Sequence, residues 1–195
     1  MSRFIESICC IDGEILNLDL HQIRVDKTFE HFFDQPPIQL RETIKAIPRV
    51  GKHKCRIVYD NSNIEIEFQS YHKRNISSLK VVDGSHIDYG FKFEDRSELT
   101  SLFEQRGDCD DIIMMKNDLV TDSYFANLAF FDGKDWLTPK NPLLNGIKRR
   151  KLIQEGTIRE ADITLNSLNK FKHVSMINAM LDLGEVVIQP TAVSL

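Results

Sequence analysis

Two kinds of apolar spacing follow one another along the chain, and each predicts its own element. RFIESICCIDGEILNL, residues 3–18, reads as two strands about Asp12-Gly13, a dipeptide that supplies the positive φ angles of a tight hairpin. Leu20, Ile23, Val25, Phe29, Phe32 and Phe33 then form a helical stripe, with Asp19 and Gln22 spaced as a capping box and QPP ending the helix. A short helix fits IQLRETIKAI before Pro48, and KCRIVYD with IEIEFQSY around NSN makes a second hairpin. LKVVDG reads as a strand, and the alternation of Ile87, Tyr89, Phe91 and Phe93 extends strand character to residue 93. A helix is expected from Asp95, capped by Glu98 and closed at Gly107.

Beyond it, DIIMMK, NLAFF and WLTP read as strands separated by Asn117-Asp118 and Asp132-Gly133 turns. LLNGIKRRKLIQEG is a loop opening a helix, and VSMINAMLDLGEVVIQP is strand and loop. The pattern predicts an α+β protein of two domains, a small one over 1–84 and a larger one over 85–195.

Composition narrows the partners. With 195 residues and 42% hydrophobic content the chain can bury a real core, and its net charge of −4 argues against broad attraction to nucleic acid or anionic membrane. Neither a membrane-length apolar run nor a signal-peptide layout is visible, so a cytoplasmic protein is expected. Cys9, Cys10, Cys55 and Cys109 show no metal-ligand or disulfide spacing and read as reduced, mostly buried thiols.

Several local features bear on chemistry. Lys92 lies between two phenylalanines on the polar side of the alternation, at the junction with a helix. Asn145, Gly146 and Ile147 precede a helix whose backbone N–H groups could face an anion. Asp122 and Asn127 stand among apolar neighbours, where a carboxylate needs a partner, or else serve as cap and turn residues. His21 and Arg24 share a helical face, by default a solvated one, and KRRK at 148–151 reads as a solvated helix face.

Taken in order, FIESI, HQIR, the lysine at 92, VTDSYFAN and LLNGIKR resemble the motif series of the class IV aminotransferases, the fold-type IV pyridoxal-phosphate enzymes. ANLAF, NGIKR and INAM are similar to the versions found in the 4-amino-4-deoxychorismate lyase branch of that family. The resemblance spans residues 4 to 181, lacks the family's Gly-Asp-Gly lead-in, and has Asp122 where the family has Glu.

It implies a two-domain fold with pyridoxal 5′-phosphate in the cleft, and a homodimer. Lys92 would hold the cofactor covalently, its aromatic neighbours stripping water from the amine. Arg24, Gly146 and Ile147, with Asn178 and Ala179, would hold the phosphate, and Asp122 would pair with the pyridine nitrogen. Arg56 and Tyr59 are candidates for a substrate carboxylate or are exposed strand residues. The implied activity is conversion of 4-amino-4-deoxychorismate to 4-aminobenzoate and pyruvate; the alternatives are transamination of a small amino acid or a non-catalytic cofactor-binding relative.

Overall fold

The computed structural model describes residues 2–194. β1 (Phe4–Ile11) and β2 (Glu14–Ile15) form the first hairpin, and Asp12 at φ 49° with Gly13 at φ 90° supplies the two left-handed positions of its turn. α1 (Leu18–Phe32), the one-turn α2 (Leu40–Thr43), β3 (Lys52–Tyr59) and β4 (Ile64–Ser70) follow. The strands make an antiparallel sheet in the order β2-β1-β3-β4. Phe4, Ile8, Val25, Phe29, Leu40, Ile57 and Tyr59 form its core, with Ile66 and Phe68 of β4 packed against them. Cys9 and Cys10 point to opposite faces of β1 and are both buried, so β1 is covered on both sides.

α1 differs from its sequence reading in a way that matters for the site. Its buried face runs His21, Val25, Thr28, Phe29, whereas Ile23 and Phe32 are more than a third exposed. Two polar residues take places the apolar stripe would assign elsewhere, because the sheet beneath offers them Glu6 and the Tyr59 hydroxyl. The capping box is absent. Asn17, in the left-handed region at φ 55°, precedes the helix and its carbonyl accepts from His21 N–H. Gln22 instead caps α2, accepting from Leu40 N–H at 2.8 Å and donating to the Ile38 carbonyl.

The second unit starts with β5 (Leu79–Asp83), crosses through α3 (Ser97–Phe103) and a 3-10 turn (Glu104–Arg106), and returns as β6 (Asp111–Lys116) parallel to β5. β7 (Leu119–Val120) pairs back through Asn117 and Asp118, both at positive φ. Here too no side-chain cap opens the helix, since Arg96 is the residue before α3. Next come β8 (Asn127–Phe131), β9 (Trp136–Pro139), α4 (Ile147–Gln154), β10 (Ile158–Ala161), β11 (His173–Ile177), β12 (Val187–Ile188) and β13 (Val193–Ser194). They complete one sheet in the order β13-β5-β6-β7 and another in the order β10-β9-β8-β11-β12. β10 and β13 carry no apolar alternation and gave no strand signal in the sequence. Among the described residues no helix is long and apolar enough to cross a membrane.

The two compact units divide the chain after His72, and Phe91–Asp95 belongs with the first. The sequence placed the division at 84. β5 falls in the second unit because its ladder partner is β6. The strand expected over residues 87–93 is not formed. Ile87 and Tyr89 are buried as part of the second unit, while Phe91 and Phe93 join the aromatic core of the first, so the alternation serves two cores. Phe93 N–H bonds to the Phe91 carbonyl at 3.0 Å, a three-residue turn centred on Lys92.

Candidate active site

In the first unit, β1 and α1 bring a carboxylate, an imidazole and a guanidinium together. Glu6 is fully buried, and Arg24 grips it with two parallel bonds, Nε to Oε1 at 2.7 Å and Nη2 to Oε2 at 2.6 Å. His21, one turn earlier and also fully buried, lies with Nδ1 2.5 Å from Glu6 Oε2. Burial alone would raise the Glu6 pKa, but the charge and hydrogen bonds of Arg24, helped by His21, outweigh it and hold the carboxyl at about 2. Burial pushes His21 down, the Arg24 and Lys92 charges add to that, and the Glu6 bond opposes it. A neutral ring donating from Nδ1 fits this balance, since Nε2 has no hydrogen-bond partner among the described residues.

Lys92 belongs to the same region. Its carbonyl accepts from Ile5 N–H at 2.9 Å, Phe93 bridges to Phe4, and its charge acts on His21. The structure therefore brings Lys92 and Arg24 together around Glu6 and His21. His21 and Arg24 are not on a solvated face: the Arg24 side chain is only 12% exposed. Glu6 and His21 went unread as a pair, although an acid inside a buried run and a histidine one turn before an arginine are the traces they leave in the sequence.

In the second unit, Asp122, Asn127 and Gly146 form one construction. Asp122 is buried; its Oδ1 accepts from Asn127 Nδ2 at 2.7 Å and its Oδ2 from Leu144 N–H at 2.9 Å. The Asn127 amide also donates to the Leu144 carbonyl at 2.8 Å, tying the carboxylate to the loop that opens α4. Gly146 is glycine because of this amide, as a Cβ there would lie 2.0 Å from Asn127 Oδ1. Burial pushes Asp122 up to about 6, against the Leu144 and Asn127 bonds and the more distant Arg149 charge.

Gly146 precedes α4, whose first internal bond runs from Arg150 N–H to the Gly146 carbonyl at 3.0 Å. The N–H groups of Ile147, Lys148 and Arg149 thus have no helical carbonyl to meet and suit an anion. Lys148 and Arg149 are buried, not on a solvated face, and bond to Asp182 and Glu160. Asn178 donates to the Phe125 carbonyl at 3.3 Å and accepts from Met180 N–H at 2.8 Å, which brings the Asn178-Ala179 loop to the segment carrying Asp122. Asp111, fully buried, accepts from Tyr124 N–H at 3.2 Å in that segment, and burial raises it to about 6.

The two substrate candidates part company. Arg56 is partly exposed and pairs with Glu94 at 2.9 Å. Tyr59 is a core residue with its ring stacked on Phe29, its hydroxyl bonded to Thr28 and its pKa raised by burial, so it is not an exposed strand residue.

Comparisons with known proteins bear on the family and the fold. The family model described as amino-transferase class IV matches residues 96–187. An uncharacterized protein of Haemophilus influenzae is 35% identical over 185 residues, 92% of this chain and 98% of the relative. The crystal structure of a Haemophilus somnus protein, provisionally named 4-amino-4-deoxychorismate lyase, superposes with a TM-score of 0.87 at 30% identity, covering 94% of this chain and 98% of that one. A Mycobacterium tuberculosis hypothetical aminotransferase in its PLP-bound form shares the fold, with a TM-score of 0.79 at 13% identity over 98% of this chain and 81% of that one. The chain belongs to the class IV aminotransferase family. Members of that family are pyridoxal-phosphate-dependent enzymes.

Proposed function

We propose that the protein is a pyridoxal-phosphate-dependent lyase that converts 4-amino-4-deoxychorismate to 4-aminobenzoate and pyruvate. The residues fit the cofactor. Lys92 supplies an amine, Arg24 in the first unit and the N–H groups at Gly146-Ile147 in the second each suit a phosphate dianion, the Asn178-Ala179 loop is a further candidate for it, and Asp122 suits a protonated ring nitrogen. The carrying observation is Asp122: a buried carboxylate raised to about 6 and bonded by neutral donors is one whose ionised form a cation would stabilise. The lyase reading, as distinct from transamination, is supported by the likeness to the Haemophilus somnus protein along nearly the whole chain.

When bound, pyridoxal phosphate withdraws electrons from the carbon bearing the substrate amine. Lys92 Nζ would take the proton from that carbon and could return one afterwards. Loss of the neighbouring enolpyruvyl group leaves an aromatic ring, and its protonation gives pyruvate. Asp122 would pair with the ring nitrogen and hold a negative charge there. The same reading includes a homodimer, for which sedimentation of the purified chain is the test.

Incubating the purified protein and cofactor with 4-amino-4-deoxychorismate, or with amino donors and keto acids, tests the activity. Aminobenzoate with pyruvate is expected. Keto-acid exchange alone would replace the lyase by an aminotransferase, and retained cofactor with neither product would make the chain a binding relative. Borohydride should fix the cofactor on Lys92, and a label on Lys80 or Lys116 would refute the assignment.

A further inference from the structure

A carboxylate locked against a guanidinium is an unexpected neighbour for a phosphate site, because its charge repels the anion that Arg24 is proposed to meet. The geometry supplies a reason. Two parallel bonds at 2.7 and 2.6 Å from Nε and Nη2 fix both the plane and the reach of the Arg24 guanidinium, which one bond or a general negative potential would not do. Glu6 is itself held: it sits mid-strand in β1, fully buried, with His21 Nδ1 2.5 Å from the oxygen that Nη2 also uses.

His21 strengthens the case by what it lacks. Its Nε2 has no hydrogen-bond partner among the described residues, so the ring is a costly way to fill a fully buried place that an aliphatic side chain would fill without a stranded polar atom. Among the described residues, the hydrogen bond of the imidazole is to Glu6. We propose that Glu6 is the positioning residue for Arg24, presetting the guanidinium for a phosphate dianion, and that His21 fixes Glu6 in that role. The strong depression of the Glu6 pKa is consistent with a carboxylate that stays ionised there. This inference rests on the reading of Arg24 as a phosphate ligand.

A charge role and a positioning role predict opposite signs, so one measurement separates them. The full chain, freed of cofactor, is titrated calorimetrically with pyridoxal phosphate and with pyridoxal; the ratio of the two dissociation constants isolates the phosphate and cancels the contribution of Lys92. Glu6→Asp keeps the charge but withdraws it by one methylene, and should cut the ratio by about tenfold, the scale of a displaced hydrogen bond to a charged group. Glu6→Gln, which removes the repelling charge, should cut it too. An unchanged ratio in Glu6→Asp, or a raised ratio in Glu6→Gln, would overturn positioning in favour of simple charge compensation. If Glu6→Gln does not fold, Glu6→Asp decides alone. His21→Asn should lower the ratio by a smaller factor, and no change would overturn the role given to His21. Arg24→Gln is the control on the underlying reading: a ratio it leaves intact would remove Arg24 from the phosphate altogether, a different failure from one in which Arg24→Gln lowers the ratio and the Glu6 variants do not.

Discussion

Glu6 in the first unit and Asp122 in the second are both buried carboxylates, and they are driven in opposite directions. Glu6 is held at about 2 and Asp122 is raised to about 6, although both are buried. The difference lies in the partners. Glu6 meets a guanidinium through two bonds, while Asp122 meets an amide and a peptide N–H, which stabilise an anion without cancelling its charge. The first carboxylate is neutralised at contact by a cation of the protein; the second has only neutral donors at contact and the more distant Arg149 charge beyond them. Burial alone therefore says little about function until the charges around it are counted.

The largest test of this contrast is Glu6→Ala. Leaving Arg24, a mostly buried cation, without its carboxylate should cost about 3–5 kcal/mol in chemical denaturation. A loss under about 1 kcal/mol would show that the pair is no more than a surface bridge. Asp122→Asn should do the reverse in the cofactor-free protein. Asp122 favours its proton in the folded state, so its ionisation opposes folding above about pH 6, and that penalty fades as pH falls from about 6 towards the ordinary 3.8. The variant should therefore exceed the wild type by on the order of 2–3 kcal/mol at pH 8 and converge with it near pH 4. Adding pyridoxal phosphate should abolish the advantage, and turnover should drop by about a hundredfold or more.

Acid should act oppositely on Glu6. Its depressed pKa gives stability that is present above the ordinary 4.5 and is lost as pH falls through about 2. Comparing Glu6→Gln with wild type across that window should show their difference narrowing towards low pH. Next in size is Gly146→Ala, where a Cβ 2.0 Å from Asn127 Oδ1 must displace the amide that ties Asp122 to its loop. A cost of about 1–3 kcal/mol is expected, with weakened cofactor retention as the second readout. At the bottom of the scale, breaking the Arg41–Asp19 pair, 3.8 Å apart with both side chains largely exposed, should change nothing measurable in either assay.

Much of this was legible in the sequence where local rules act alone. The hairpin turns, the β5–α3–β6 crossover and the loop before α4 follow from Gly, Asn and Asp positions and from apolar spacing. Lys92, Asp122 and Gly146 stood out as residues because their neighbours were informative. What escaped was set by contacts distant in sequence. The buried face of α1 contains His21 and Thr28 because Glu6 and Tyr59 lie on strands beneath it, and no helical period reveals that. Gly146 looked like a phosphate-loop glycine, yet the close approach of Asn127 already requires it. The alternation from 87 to 93 misled because its apolar residues are shared between two cores.

The return of Phe91–Asp95 to the first sheet also sets a schedule for synthesis. A chain emerging from the ribosome has Arg24, Glu6 and His21 early, but Ile5 N–H and the Phe4 ring wait for Lys92 and Phe93, which arrive only after β5 of the other unit. Until then the first aromatic core is unfinished, and a chaperone or a prolonged pause would meet it in that state. A fragment cut at residue 72 or 84 would keep the arginine and lose the lysine. Cutting after Asp95 is the shortest division that leaves the first unit with all of its own residues.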